Sequence, residues 1–281
     1  MSASNVAKTL EQQEHAFDGA VNLKGDPNCL VGQVSADYQN MVGPFGGVTA
    51  ATILQAVLGH PEREGMPVSL TINYMGPIED DELVVKPALL RTNRSNQHWR
   101  VDFLQGDVMQ CSASCVFAKR NETWSNDEVR MPYAPDFEEV DSLPKFPGMP
   151  SWVDQYDMRF VYGAPFQPLV KGKQANPSES LLWISDKPAR KLDYASVTAI
   201  SDSFFPRIFV RRHKIVPMGT VSLTINFHIT EDELLGLEAT HLLGRASATK
   251  FTNGYFEQRA ELWSPDGTLV ATSSQMVYYK D

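Results

Sequence analysis

Apolar and polar residues alternate along residues 66–75, with Val68, Leu70, Ile72 and Tyr74 on one side of the chain and Ser69, Thr71 and Asn73 on the other. Successive side chains of an extended strand point to opposite faces, so this spacing predicts a strand with one buried face. Comparable runs predict strands at 82–92, 97–105 and 108–118, and again at 218–229, 237–249, 255–263 and 269–279. Two other stretches are apolar without alternation. Residues 48–58, opened by Gly46-Gly47 and closed by Pro61, are rich in Ala and Leu and predict a buried helix; residues 193–205 predict a second one. Pro265-Asp266-Gly267 predicts a hairpin turn between the last two strands.

The order of one helix followed by four strands occurs twice, and the repeat is visible in the residues themselves. Val-Ser-Leu-Thr-Ile-Asn stands at 68–73 and again at 221–226, followed by Tyr74 in one copy and Phe227 in the other. Val48-Thr49-Ala50 matches Val197-Thr198-Ala199 upstream. Downstream, the acidic turn at 79–83 matches 231–234, and the segment ending in Val116-Phe117 matches the one ending in Val277-Tyr278. A tandem duplication of an α+β unit follows, each copy an antiparallel sheet wrapped around its own helix. The expected boundaries are 1–118 for the first unit, 119–157 for a connector and 158–281 for the second. The connector carries Pro132, Pro135, Pro144, Pro147 and Pro150. Its Tyr133, Phe146 and Trp152 predict packing against the surface, since disordered linkers are poor in aromatics.

Duplication separates scaffold from chemistry, because a polar residue present in one copy only is not required by the shared fold. Counted from the common Val-Thr-Ala, Asp202 corresponds to Ile53. Thr220 corresponds to Pro67 and, counting back from Val277-Tyr278, Gln275 corresponds to Ser114. An ionised carboxylate can accept a proton from water, and an amide and a hydroxyl can orient that water. Strand alternation puts Thr224, Ser222 and Asn226 on the face expected for Thr220, which leaves Thr224 as a second candidate for the hydroxyl. His228, opposite Met75 in the repeat, reads as a packing residue.

Composition narrows the partners. The 281-residue chain is 42% hydrophobic with a formal charge of -9, which disfavours nucleic acid, whose binding needs clustered cations. One basic run, Arg207, Arg211, Arg212, His213 and Lys214, stands out in this acidic chain and suits an anionic small ligand. Three cysteines without a Cys-x-x-Cys pair suit a reducing compartment, with Cys111 and Cys115 as core residues. Residues 1–13 are polar and lack the apolar core of a signal peptide, and no apolar run approaches the roughly 20 residues of a membrane span. A cytoplasmic protein is expected. Signatures of serine hydrolases, phosphate loops, dinucleotide folds and His-pair metal sites do not occur.

Gly43-Pro44-Phe45-Gly46-Gly47, Ser201-Asp202, the strand 220–228 and Val270-Ala271-Thr272-Ser273-Ser274-Gln275 together resemble the TesB-like (type II) acyl-CoA thioesterases of the double hotdog fold. The resemblance implies acyl-CoA as substrate and a water activated by Asp202, Thr220 and Gln275, with no metal, cofactor or covalent intermediate. Backbone N–H groups at Gly46 and Gly47 would serve the oxyanion, and Arg211 and Arg212 the phosphates of coenzyme A. Two other functions use this fold. One is acyl-CoA binding without turnover. The other is hydration or dehydration of enoyl-CoA, which needs an Asp-His pair where this chain has Arg207 five residues after Asp202. Further assembly into a homo-oligomer is left open by a chain that is already a pseudo-dimer.

Overall fold

The computed structural model describes residues 15–165 and 177–280; the polar stretch 1–13 lies outside them. Its first unit runs α1 (Ala16–Ala20), β1 (Lys24–Asp26), β2 (Cys29–Gln33), α2 (Gly46–Leu58), β3 (Met66–Tyr74), β4 (Glu82–Thr92), β5 (Asn96–Gln105) and β6 (Val108–Ala118). The second runs β7 (Tyr156–Tyr162), β8 (Ser180–Asp186), α3 (Tyr194–Ile200), α4 (Arg207–Arg212), β9 (Met218–Phe227), α5 (Glu231–Gly236), β10 (His241–Thr252), β11 (Tyr255–Trp263) and β12 (Leu269–Tyr279). All strands join one antiparallel sheet in the order β1-β2-β4-β5-β6-β3-β9-β12-β11-β10-β8-β7. Read outward from the middle, the two halves of this order correspond strand for strand.

The repeated hexapeptides meet at the centre. In the β3–β9 ladder Thr71 faces Thr224, and Leu70 and Ile72 face Ile225 and Leu223. The two threonine hydroxyls hydrogen-bond at 3.1 Å, so the pseudo-twofold axis passes between equivalent residues. Behind the sheet α2 and α3 pack side by side. Helix α2 is buried on nearly every side, as its uniformly apolar sequence requires. Gly47 permits the approach: a Cβ there would stand 2.6 Å from the Ala199 carbonyl of α3.

Several expectations change. The second helix ends at Ile200 instead of continuing to 205. Ser201 Oγ and Ser203 Oγ donate to the carbonyls of Val197 and Ile200, each at 2.7 Å, a local alternative to helical pairing. Pro206, with no N–H to donate, then prevents resumption in the same line. Helix α2 carries a similar bond, from Thr52 Oγ1 to the Val48 carbonyl at 2.9 Å, but meets no proline and runs on through Ile53 to Leu58. In the second unit the acidic turn is a helix, α5, started by a reciprocal capping box between Thr230 and Glu233. The hairpins β1–β2 and β7–β8 precede the helices and extend each half-sheet. Of the connector aromatics, Trp152 is buried while Tyr133 and Phe146 are exposed. Trp152 stacks on Phe45 with ring centroids 4.4 Å apart, which fixes the connector beside the start of α2.

Candidate active site

The break after α3 leaves Asp202 in a short turn, and that turn is tied to the sheet by Ser273 Oγ, which donates to the Ser201 carbonyl at 3.0 Å. The Asp202 carboxylate therefore reaches the N-terminus of α2, in the other half of the chain. Gln275 Nε2 donates to Asp202 Oδ1 at 2.6 Å, and the backbone N–H of Gly47 donates to the same carboxylate. The other oxygen occupies space left by Gly46, where a Cβ would come 2.8 Å from Oδ2. Asp202 is half-buried. Burial pushes its carboxyl up from 3.8 to about 7, against the opposite pull of the Gln275 amide and the Gly47 N–H. A group that titrates near neutrality can both take and return a proton there.

Ladder register corrects the residue-by-residue comparison of the copies. Leu70 of β3 faces Cys115, and the equivalent Leu223 of β9 faces Gln275. The counterpart of Gln275 is thus Cys115 and not Ser114. Ser114 is exposed while Gln275 and Cys115 are buried, the change of face that a one-residue slip produces. Burial pushes the Cys115 thiol up to about 12, which leaves it inert at neutral pH.

The face shared by Thr220 and Thr224 is corrected too. Both central strands carry a bulge at the same place in the repeat, between Pro67 and Ser69 in β3 and between Thr220 and Ser222 in β9. The extra residue reverses the alternation. Thr220 consequently faces Val277, a buried residue two places from Gln275, and shares the inner face with it. Thr224 lies on the opposite face, bonded to Thr71, and does not share the face of Thr220. No hydrogen bond joins Thr220 to Asp202 or Gln275 among the described residues.

Tyr74 also belongs to this region. Its hydroxyl donates to the Gly46 carbonyl at 2.9 Å, and burial with the nearby Asp202 charge holds its pKa well above the ordinary phenol value. The signal was the one difference at the end of the hexapeptide, Tyr74 against Phe227.

The basic run divides in two. Arg207 is fully buried and so leaves the candidate phosphate patch. Arg211 and Arg212 lie exposed in the last turn of α4. His228 is exposed beside β12, with Nε2 3.0 Å from Thr272 Oγ1, away from the carboxylate. The Gly47 N–H, expected to serve an oxyanion, also acts on the Asp202 carboxylate. That of Gly46 makes no backbone hydrogen bond among the described residues. A cavity of about 360 Å³ opens at the opposite ends of the helices, between Gln55, Gly59, His60, Asp193 and Ala195. It lies away from the Asp202 turn and is lined in part by Asp18, His60 and Asp193; Ile53, Pro67 and Cys115, the counterparts of Asp202, Thr220 and Gln275, are not among its walls.

A single sheet wrapped around two adjacent helices, with a pseudo-twofold axis through its centre, defines a double hotdog protein. Residues 35–118 match the acyl-CoA thioesterase N-terminal domain, and residues 130–279 match the acyl-CoA thioesterase C-terminal domain. The chain belongs to this TesB-like thioesterase family. A conserved protein of unknown function with a hot dog fold from Alicyclobacillus acidocaldarius is 40% identical, with a TM-score of 0.90 over 95% of this chain and 98% of that one. A TesB protein of Mycobacterium avium subsp. paratuberculosis is 17% identical with a TM-score of 0.73, and covers 94% of this chain and 98% of its own. An acyl-CoA thioesterase II of Mycobacterium marinum shares the fold at 16% identity and a TM-score of 0.71, with the same coverage. A search of the curated proteins finds no match. Among the described residues no helix is long and apolar enough to cross a membrane.

Proposed function

We propose that the protein hydrolyses acyl-CoA to a free acid and coenzyme A by direct attack of water, with Asp202 as general base. The observation that carries this reading is the bond between Gln275 and Asp202 at the start of α2, on a carboxyl that burial pushes up to about 7. Asp202 removes a proton from a bound water as its oxygen adds to the thioester carbonyl. Collapse of the tetrahedral intermediate breaks the carbon–sulfur bond, and the proton held by Asp202 passes to the departing thiolate. Gln275 orients the carboxylate, and Thr220 positions the water or acyl group from the same inner face. The N–H at Gly46 offers the oxyanion a donor at a helix N-terminus. Arg211 and Arg212 supply positive charge for the phosphates of coenzyme A.

Asp202→Asn tests the reading, since it keeps the shape of the side chain and removes the base. Thiol release from a panel of acyl-CoA chain lengths should fall by about 10² to 10⁴-fold. Wild-type turnover by the variant would remove Asp202 from the mechanism. Acyl-CoA binding by the wild-type protein without thiol release would turn the reading to a binding protein, and hydration of enoyl-CoA would turn it to a lyase.

A further inference from the structure

Arg207 presents an unusual situation: a fully buried guanidinium with no acidic partner among the described residues. Nε donates to the Phe205 carbonyl at 3.0 Å and to Gln258 Oε1 at 3.1 Å, and Nη2 also bonds the Phe205 carbonyl. Nη1 reaches Ser180 Oγ at 2.8 Å, the Ser178 carbonyl at 3.2 Å and the Ala246 carbonyl at 3.3 Å. Every acceptor is neutral. Burying a cation on neutral acceptors is costly, and the first copy avoids it altogether. Counted from the shared Val-Thr-Ala, the position of Arg207 holds Leu58 there.

Gln258 is the link to the site. It lies directly opposite Gln275 in the β11–β12 ladder, and both side chains are buried on the inner face. The equivalent cross-strand pair in the first copy is Trp99 and Cys115, both wholly buried. Polar substitution has thus entered at Arg207, Gln258 and Gln275 together, in the copy that carries Asp202. An amide has one accepting and one donating end. Because Arg207 takes the oxygen of Gln258, the NH₂ end is what Gln258 can offer its cross-strand neighbour. Gln275 in turn gives its NH₂ to Asp202, which leaves its carbonyl as the end that can receive a donor.

We infer that Arg207 and Gln258 are positioning residues: the fixed cation orients the Gln258 amide, and the Gln258 amide orients Gln275 so that its NH₂ meets Asp202. The inferred direction runs from a cation, through two amides that are adjacent across the ladder and not hydrogen-bonded to each other here, to an anion. Arg207 also holds the Phe205 carbonyl, so the turn that carries Asp202 and the β11 amide opposite Gln275 are held by the same group. This inference rests on Asp202 and Gln275 acting in thioester hydrolysis.

Gln258→Glu separates positioning from mere support. The variant keeps an acceptor for Arg207 and gives the guanidinium a charged partner, but has no NH₂ to offer. Gln275 should turn its own NH₂ toward the introduced carboxylate and release Asp202. The expected result is an undiminished melting temperature, kcat/KM lower by about 10 to 100-fold with most of the loss in kcat, and an acid limb of the pH profile moved upward. In a Gln275→Ala background the same change should cost nothing further, because the effect passes through Gln275. Gln258→Met, which lacks both ends of the amide, should reproduce the loss. Wild-type kcat/KM and pH profile in Gln258→Glu would overturn the inference, as would a loss that adds fully to that of Gln275→Ala. Absence of thiol release by the wild-type protein would instead defeat the reading of the site itself.

Discussion

Gly46→Ala offers a way to disturb the site while leaving the scaffold sound. Gly46 is the first residue of α2 and has no positive φ, so alanine fits its backbone. Replacing glycine by alanine at a compatible position stabilises a protein by about 0.4–1 kcal/mol, mainly by restricting the unfolded chain. The new methyl group, however, would stand 2.8 Å from Asp202 Oδ2, and 3.5 Å from the Tyr74 hydroxyl. A carbon and an oxygen approach comfortably only to about 3.3 Å, so the carboxylate must withdraw by about half an ångström. Its 2.6 Å bond from Gln275 cannot lengthen by that much and keep its strength. Since a misplacement of about 1 Å costs on the order of 10²-fold in rate, a loss of about 10-fold or more in kcat is expected. Thermal melting and steady-state thiol release on the same sample provide the assay. A variant that melts at or above the wild-type temperature and turns over slowly fits the geometry. One with full activity refutes it, because the space above Gly46 would then not be where the carboxylate works.

Two further predictions concern the strands and the buried acids. Thr220→Val should lower thiol release, whereas Thr224→Val should leave it intact and cost about 1 kcal/mol of stability through the lost bond to Thr71; the opposite pattern in parallel assays would reverse the assignment made from the bulge. Asp186 is buried between Tyr38, Tyr156 and Arg190. Burial pushes its carboxyl up to about 7, Arg190 pulls it down, and Asp193 and Asp18 raise it further. Both Asp186 and Asp202 hold protons more tightly in the folded chain than in the unfolded one, so their contribution to stability should fall as pH rises from about 4 to about 7. Asp186→Asn should therefore gain on the wild type in melting temperature between pH 5 and pH 8, and an equal difference at the two pH values would contradict the shift.

Much of this architecture was readable because half-buried strands announce themselves by alternation. The expected 66–75, 82–92 and 108–118 correspond to β3, β4 and β6 within a residue. Strand β8 did not announce itself, since its residues are buried on both faces and a run such as Leu181-Leu182-Trp183-Ile184 has no period to read. The end of α3 at Ile200 leaves no gap in the apolar pattern, since Phe204 and Phe205 follow it, and the helix-breaking Pro206 comes only after them. Among the candidate site residues, Asp202 and Gln275 do come together. Thr220 and the counterpart of Gln275 required the ladder, because a bulge and a one-residue slip each reverse faces without leaving a mark in the pattern. Proximity in sequence groups Arg207 with Arg211 and Arg212. The turn at 201–206 and the acceptors on β8, β10 and β11 take it inside instead.

The pairing of Thr71 with Thr224 at the centre of the sheet has a consequence for charge. Were two identical chains to assemble about such an axis, every residue chosen for one site would be imposed on the other, and a carboxylate and a guanidinium would be buried at each. Joining the copies in one chain lifts that constraint. Ile53, Leu58, Trp99 and Cys115 can fill one side as ordinary core, while Asp202, Arg207, Gln258 and Gln275 occupy the other. The molecule bears the instability of Asp202 and Arg207 once, and not at both related positions.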